Sequence, residues 1–200
     1  MSALEAHLDA LRACRLCPAM IPPVVVGRPV GSRVYLVGQA PGPREGQLGR
    51  PFAWTAGRTM FQWFASVGLD EEAFRSRVYM AAVCRCFPGK AAGGGDRVPN
   101  PVEIANCSGW MAAELAMLDP ELILAVGKLA IARFLPVAPL EQTVGRLHRV
   151  EVAGRPRDVL PLPHPSGAST WFRREPGKTR LAEALALLAA HPEWTRLTTS

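Results

Sequence analysis

Four short apolar runs, separated by stretches of helical pattern, constrain this 200-residue chain more than any other feature. Val34-Tyr35-Leu36-Val37, Val78–Val83, Leu122–Val126 and Val159–Leu162 carry apolar residues without alternation. A strand with one wet face alternates in polarity. Continuous runs of this length suit strands buried on both faces, as in parallel sheets covered by helices. The segments between them agree. Leu4, Leu8 and Leu11 share one face of a helix from about Ala3 to Arg12. Met60, Phe61, Phe64 and Val67 do the same from about Ala56 to Val67, with Gly68 as the stop. Asn100-Pro101-Val102-Glu103 is a helix start with an N-cap, a proline at N1 and an acid at N3. Lys128–Phe134 and a last helix bearing Leu181, Leu185 and Leu188 complete the alternation. The pattern predicts an α/β fold, three layers α/β/α around a mainly parallel four-stranded sheet. Pro161 predicts that the last strand is short or lies at an edge. No repeat or boundary divides the chain, so a single domain over 1–200 is expected, with the N-terminal Cys14-x-x-Cys17 segment packed on it.

In such sheets ligands lie beyond the carboxyl ends of the strands. Two loops fall there: Gly38-Gln39-Ala40-Pro41-Gly42 after the first strand, and Pro163-His164-Pro165-Ser166 after the fourth. They are expected to line one pocket. The first is too short for a phosphate-binding P-loop and lacks its Lys-Ser/Thr. A net charge of +6 and a pI near 9.5 suit a polyanionic partner such as nucleic acid. With 48% hydrophobic residues the chain is of globular composition. It shows no run of the roughly 18 apolar residues a membrane span needs, and Met1–Ala10 is not a signal peptide. A cytoplasmic protein that does not engage a membrane is the expectation. Five cysteines, Cys14, Cys17, Cys84, Cys86 and Cys107, are then unlike a disulfide framework. Four thiolates from this set fit Zn²⁺ or an iron–sulfur cluster equally well.

The run Gly38-Gln39-Ala40-Pro41-Gly42, then Glu45, Gly49-Arg50-Pro51-Phe52 and Ala56-Gly57, resembles the first motif of the family 4 uracil-DNA glycosylases. His164-Pro165-Ser166 resembles their second, which carries the family histidine. The likeness extends from about Leu4 to Ala190. It implies a glycosylase that hydrolyses the N-glycosidic bond of uracil in DNA, leaves an abasic site, and works as a monomer. It also implies a [4Fe–4S] cluster on Cys14, Cys17, Cys86 and Cys107. Cys86 is preferred because it stands seven residues after Tyr79, leaving Cys84 as a spare thiol.

The resemblance assigns roles to further residues. His164 would donate to the uracil O2, where negative charge gathers as the base departs. Gln39 stands in the catalytic loop, with Gly38, Ala40, Phe52, Ala82 and Ser166 around the base. Phe52 is either a core residue or the stacking floor for a base flipped out of the helix. Arg50, Trp171, Arg173 and Arg174 are the candidates for contact with DNA, although Trp171 and its neighbour Phe172 also suit an ordinary loop with two buried aromatics. The segment Gly89–Asp96 reads as a flexible insertion.

Two departures set this chain apart from the pattern. Gln39 replaces a Glu and Ala40 stands where many superfamily members have Asp, which excludes water activation by a carboxylate in that loop. Ala82 replaces the Asn that reads the uracil edge, which predicts weaker discrimination. Family 5 lacks this Asn too, but it has an acid near the position of Thr55 and this chain has none. A DNA-damage-binding protein with little turnover is therefore the alternative, and a zinc-stapled nucleotide hydrolase the third reading.

Overall fold

The computed structural model describes residues 1–199. In chain order the elements are α1 (Ala3–Arg12), β1 (Val34–Gly38), α2 (Pro43–Leu48), α3 (Thr55–Ala65), α4 (Glu71–Arg77), β2 (Tyr79–Ala82) and α5 (Pro101–Leu118). They continue with β3 (Leu122–Val126), α6 (Lys128–Ile131), α7 (Leu140–Thr143), β4 (His148–Val152) and β5 (Arg155–Leu162). A short 3₁₀ turn (Trp171–Arg173), α8 (Gly177–Ala190) and α9 (Pro192–Thr199) close the chain. Each start has a local cause where the sequence supplies one. Ser2 and Glu5 form a reciprocal capping box on α1, and Asn100 and Glu103 form another on α5.

The sheet has five strands in the order β2-β1-β3-β5-β4. β2, β1, β3 and β5 are parallel, and they correspond to the four apolar runs. The fifth, β4, is antiparallel to β5 across a tight turn in which Ala153 and Gly154 both have positive φ (52° and 77°). That is the geometry of a two-residue hairpin, written here with Ala-Gly in place of the usual Asn-Gly, so the turn carries little sequence signal. β4 also alternates half-buried and exposed residues instead of being apolar throughout.

With β4 at the edge, β5 is an interior strand of eight residues, and the short or edge strand expected from Pro161 is corrected. The last β4 pair is His148↔Val159, so Pro161 lies beyond it and has a ladder partner, Ala125, only on the β3 side. A residue without an N–H is tolerated there.

The helices cover both faces, which gives two cores. Leu4, Leu8 and Leu11 of α1 pack with Tyr35, Val37, Tyr79, Ala81, Ile123 and Cys107 on one side. Phe61, Phe64, Phe74, Leu36, Leu124, Leu160, Leu181 and Trp194 fill the other. Alternate strand residues point to opposite faces, and every residue of β1, β2 and β3 is buried. Among the described residues no helix is long and apolar enough to cross a membrane.

Candidate active site

The carboxyl ends of β1 and β2 meet in register, with Gly38 opposite Ala82. The pairing continues past the strands, where Val83 and Cys84 donate to the carbonyls of Gly38 and Gln39 at 2.9 and 3.0 Å. The loop after β1 is therefore anchored by its backbone. Gly38, Ala40, Pro41, Phe52 and Ala82 line a cavity here together with Glu45, Met80 and other neighbours. Its volume is about 20 Å³, room for a water but not for a base. A base can enter only if the Phe52 turn or the adjoining loops give way.

Phe52 forms the floor, in a conformation that the chain holds against its preference. Its φ is +51°, a region L-residues with large side chains rarely occupy. Two glycines permit this. A Cβ on Gly38 would lie 2.7 Å from the Phe52 ring, and one on Gly57 would lie 1.7 Å from the Phe52 carbonyl oxygen. Arg75 of α4 fastens the turn: it is buried and donates to the carbonyls of Pro51 (2.9 Å) and Phe52 (3.0 Å) and to Glu71 (2.9 Å). Glu45 fastens the other side, accepting from the N–H groups of Gly42 (2.6 Å) and Ala53 (3.1 Å). Burial pushes its carboxyl up in pKa despite those donors. The role of Glu45 is thus to brace two loops, and its oxygens are taken up in doing so.

His164 lies in the loop after β5, against the end of β3. A Cβ on Gly127, which has φ +87°, would fall 3.0 Å from His164 Cδ2, so the glycine makes room for the ring. The Ser166 backbone N–H donates to His164 Nδ1 at 3.3 Å. Nδ1 is then the acceptor, and the proton of the neutral ring sits on Nε2. Burial lowers the His164 pKa, against a smaller upward pull from the Asp96 carboxylate. The ring is therefore a neutral hydrogen-bond donor at neutral pH, fixed in one tautomer. His164, Gln39 and Ser166 stand outside the lining of the small cavity, whereas Gly38, Ala40, Phe52 and Ala82 are part of it.

The residues expected to touch DNA divide into two kinds. Arg50, Arg173 and Arg174 are exposed, with Arg50 at 3.9 Å from Glu71 and Arg173 over the Phe172 ring. Trp171 is partly buried against the second core, and its neighbour Phe172 packs edge-on to Trp63 at 5.0 Å. A patch that the sequence reading missed lies beside the cavity. Trp54, half exposed, is flanked by the guanidinium groups of Arg44 (5.5 Å) and Arg58 (5.9 Å). A more open cleft at the amino ends of the strands, between Arg33, Glu121, Asp158 and His191, has its charges paired internally and faces away from these loops.

The cysteines require a correction. Cys14, Cys17, Cys86 and Cys107 border a common apolar cavity. Among the described residues, however, no group of three or more Cys, His, Asp or Glu side chains could hold a metal ion. The expected [4Fe–4S] cluster and its ligand set are therefore not supported, nor is zinc in its place. Three of the five sulfurs have protein partners. Cys84, fully buried, hydrogen-bonds Cys107, which holds the Cys107 thiol down in pKa and pushes Cys84 up. Asn106 donates to Cys17 at 3.5 Å.

The parallel sheet, the glycine-bounded loop after its first strand and the fixed histidine loop after β5 define a class, that of α/β proteins whose candidate site lies at the strand carboxyl ends. Residues 24–189 match the sequence profile of the Uracil DNA glycosylase superfamily, and the chain belongs to that superfamily. It is 29% identical over 166 residues to the type-4 uracil-DNA glycosylase of Thermotoga maritima, covering 82% of this chain and 81% of that protein. Over 174 residues it is 28% identical to the type-4 enzyme of Archaeoglobus fulgidus, with 83% of each chain covered. A type-5 uracil-DNA glycosylase of Thermus thermophilus is 30% identical over 162 residues, 66% of this chain and 71% of that one.

Proposed function

We propose that the protein is a monofunctional DNA glycosylase that removes uracil, and other deaminated bases less selectively, from DNA. The observation that carries this reading is His164, a half-buried neutral imidazole whose Nδ1 accepts from Ser166 and whose proton therefore sits on Nε2, placed to donate. Breaking the bond between the base and C1′ leaves negative charge on the base and positive charge on the sugar. A preoriented donor at the base oxygen stabilises the first, and a neutral imidazole does so without competing for the phosphate anions nearby. Phe52 would supply the stacking surface that an extruded base loses in leaving the helix. The Trp54 patch with Arg44 and Arg58, together with Arg50, Arg173 and Arg174, suits phosphates and unpaired bases.

Ala82 leaves the base edge without a bidentate reader, because the cavity wall at that point is a methyl group and the backbone of β2. Broad selectivity follows, since an apolar wall cannot reward O4 over N4. Ala82, and Gln39 where the relatives have an acid, also favour the alternative, recognition of damaged DNA with little turnover. The test is incubation with oligonucleotides carrying uracil, hypoxanthine or xanthine, single-stranded and paired, followed by alkali. Wild-type protein is expected to give strand breaks at uracil, and His164→Ala to be slower by about 10²–10³-fold while still binding the DNA. Binding without breaks in the wild type would establish the alternative.

A further inference from the structure

The loop after β1 has no free carboxylate: Gln39 and Ala40 are neutral, and Glu45 spends its oxygens on the N–H groups of Gly42 and Ala53. A carboxylate reaches this place from another element. The segment read as a flexible insertion forms a small hairpin, with Lys90 bridged to Asp96, Ala91 donating to Gly95 (3.1 Å) and Arg97 donating to Gly89 (2.9 Å). Its base is clamped. Arg97 makes two bonds of 2.8 Å to Glu103, the residue that caps α5, and a third to the Pro88 carbonyl. Asp96 is next to that clamp. Its Oδ1 accepts from Lys90 at 2.6 Å, and its Oδ2 turns toward the catalytic loop, 3.5 Å from where a Cβ on Gly42 would lie. Its charge also reaches His164, whose pKa it pulls up against the larger effect of burial.

We propose that Asp96 is the general base of this active site, holding through Oδ2 the water that attacks C1′. The proposal rests on the glycosylase reading above. In the step, the bond from C1′ to the base nitrogen breaks and its electron pair leaves on the base, whose oxygen His164 hydrogen-bonds. The water oxygen bonds to C1′ and its proton passes to the Asp96 carboxylate. Asp96 returns that proton to solvent, and the base anion takes one up. The insertion thus sets beside the loop after β1 an acid that the loop itself lacks. It also explains why the hairpin is fastened to α5 rather than left loose: a base must be held within hydrogen-bond reach of its water.

The experiment is single-turnover excision by the full chain on uracil-containing single-stranded DNA, comparing wild type, Asp96→Asn and Asp96→Glu, with binding to the same DNA measured by fluorescence anisotropy. Asp96→Asn keeps size and loses the base, so excision is expected to fall by about 10²-fold with the Kd for DNA within about twofold, since only a proton acceptor is removed. Its pH–rate profile should lose one proton from the acid limb, which a merely structural residue would not change. Asp96→Glu should recover part of the rate. Asp96→Asn at the wild-type rate overturns the proposal and leaves the glycosylase reading intact. So does a loss of rate matched by an equal loss of DNA affinity, which would make Asp96 a binding residue. A wild type that cleaves no deaminated base overturns both.

Discussion

His164 is held uncharged by its surroundings. Its ring is held neutral because burial penalises the cation more than Asp96 favours it. The folded pKa thus lies below the ordinary value of 6.5, and the unfolded chain binds the proton first as pH falls. Between the ordinary value and the lower folded one, the unfolded state carries more protons, so stability rises with pH there and is lost on acidification. Above pH 7 both states are neutral and the group contributes no pH dependence. Wild type is therefore expected to lose more melting temperature between pH 7.5 and about 5.5 than His164→Gln, which has nothing to titrate. Equal losses in the two proteins would mean the ring is solvated in solution. Glu45 is the contrasting case: an acid between the two glycine-proline motifs whose hydrogen bonds show it to be a brace.

At the scale of elements, the floor of the site is set by a helix that contributes no lining residue. α4 begins at the Asp70 cap, whose side chain accepts from Ala73 (2.8 Å), and presents Arg75 to the carbonyls of the Phe52 turn. Those carbonyls face inward because Phe52 has a positive φ, so removing the guanidinium leaves two acceptors buried without donors. Arg75→Leu is expected to cost about 2–4 kcal/mol, read as a lower urea midpoint with unchanged slope. Lysine reaches one carbonyl at best, so Arg75→Lys should recover only part of the stability. At equal folded fraction, both should excise more slowly than wild type, because the Phe52 ring loses its fixed orientation. A variant that melts lower but excises normally would show that the turn keeps its shape unaided.

For the whole molecule, one buried carboxylate joins the layers. Glu114 of α5 is fully buried and accepts from Tyr35 of β1 (2.6 Å), Tyr79 of β2 (2.7 Å) and Arg85 (2.5 Å), with His7 of α1 at 3.5 Å. Burial pushes its pKa up, but the Arg85 guanidinium and the two hydroxyls outweigh that and hold it below the usual range. Arg85 in turn donates to the Ala82 carbonyl at 2.7 Å, so the network that fastens α1 and α5 to the sheet also fixes the end of β2 at the cavity wall. Glu114→Ala strands a buried cation and is expected to destabilise the fold by about 3–5 kcal/mol. The Arg85→Met/Glu114→Leu double variant, which removes both charges, should recover much of that loss. A double variant no more stable than the single would point to the tyrosine bonds rather than the ion pair as the larger contribution.

Much of this was legible before folding. Continuous apolar runs identify parallel strands because burial on both faces leaves no position for a polar residue, and caps such as Ser2 and Asn100 mark helix starts by chemistry that is local. The loops after β1 and β5 could be assigned to one end of the sheet for the same reason, since strand direction follows from the alternation with helices. β4 was not legible, because a half-exposed edge strand entered through Ala153-Gly154 has neither an apolar run nor a strong turn signal. Nor were the long-range partners. Arg75 is 24 residues from Pro51, Arg85 is 29 from Glu114, and Asp96 lies far along the chain from the glycine loop it faces. Cysteine spacing could suggest ligands but not bring their sulfurs together around an ion; that depends on where the fold places each one, and among the described residues it assembles no such group. What depends on neighbours within a turn or a strand can be read from the chain alone: period, caps, and the order of layers. Which charges meet is settled by the folded chain, because an ion pair is defined by distance in space, and nothing local in the chain encodes that distance.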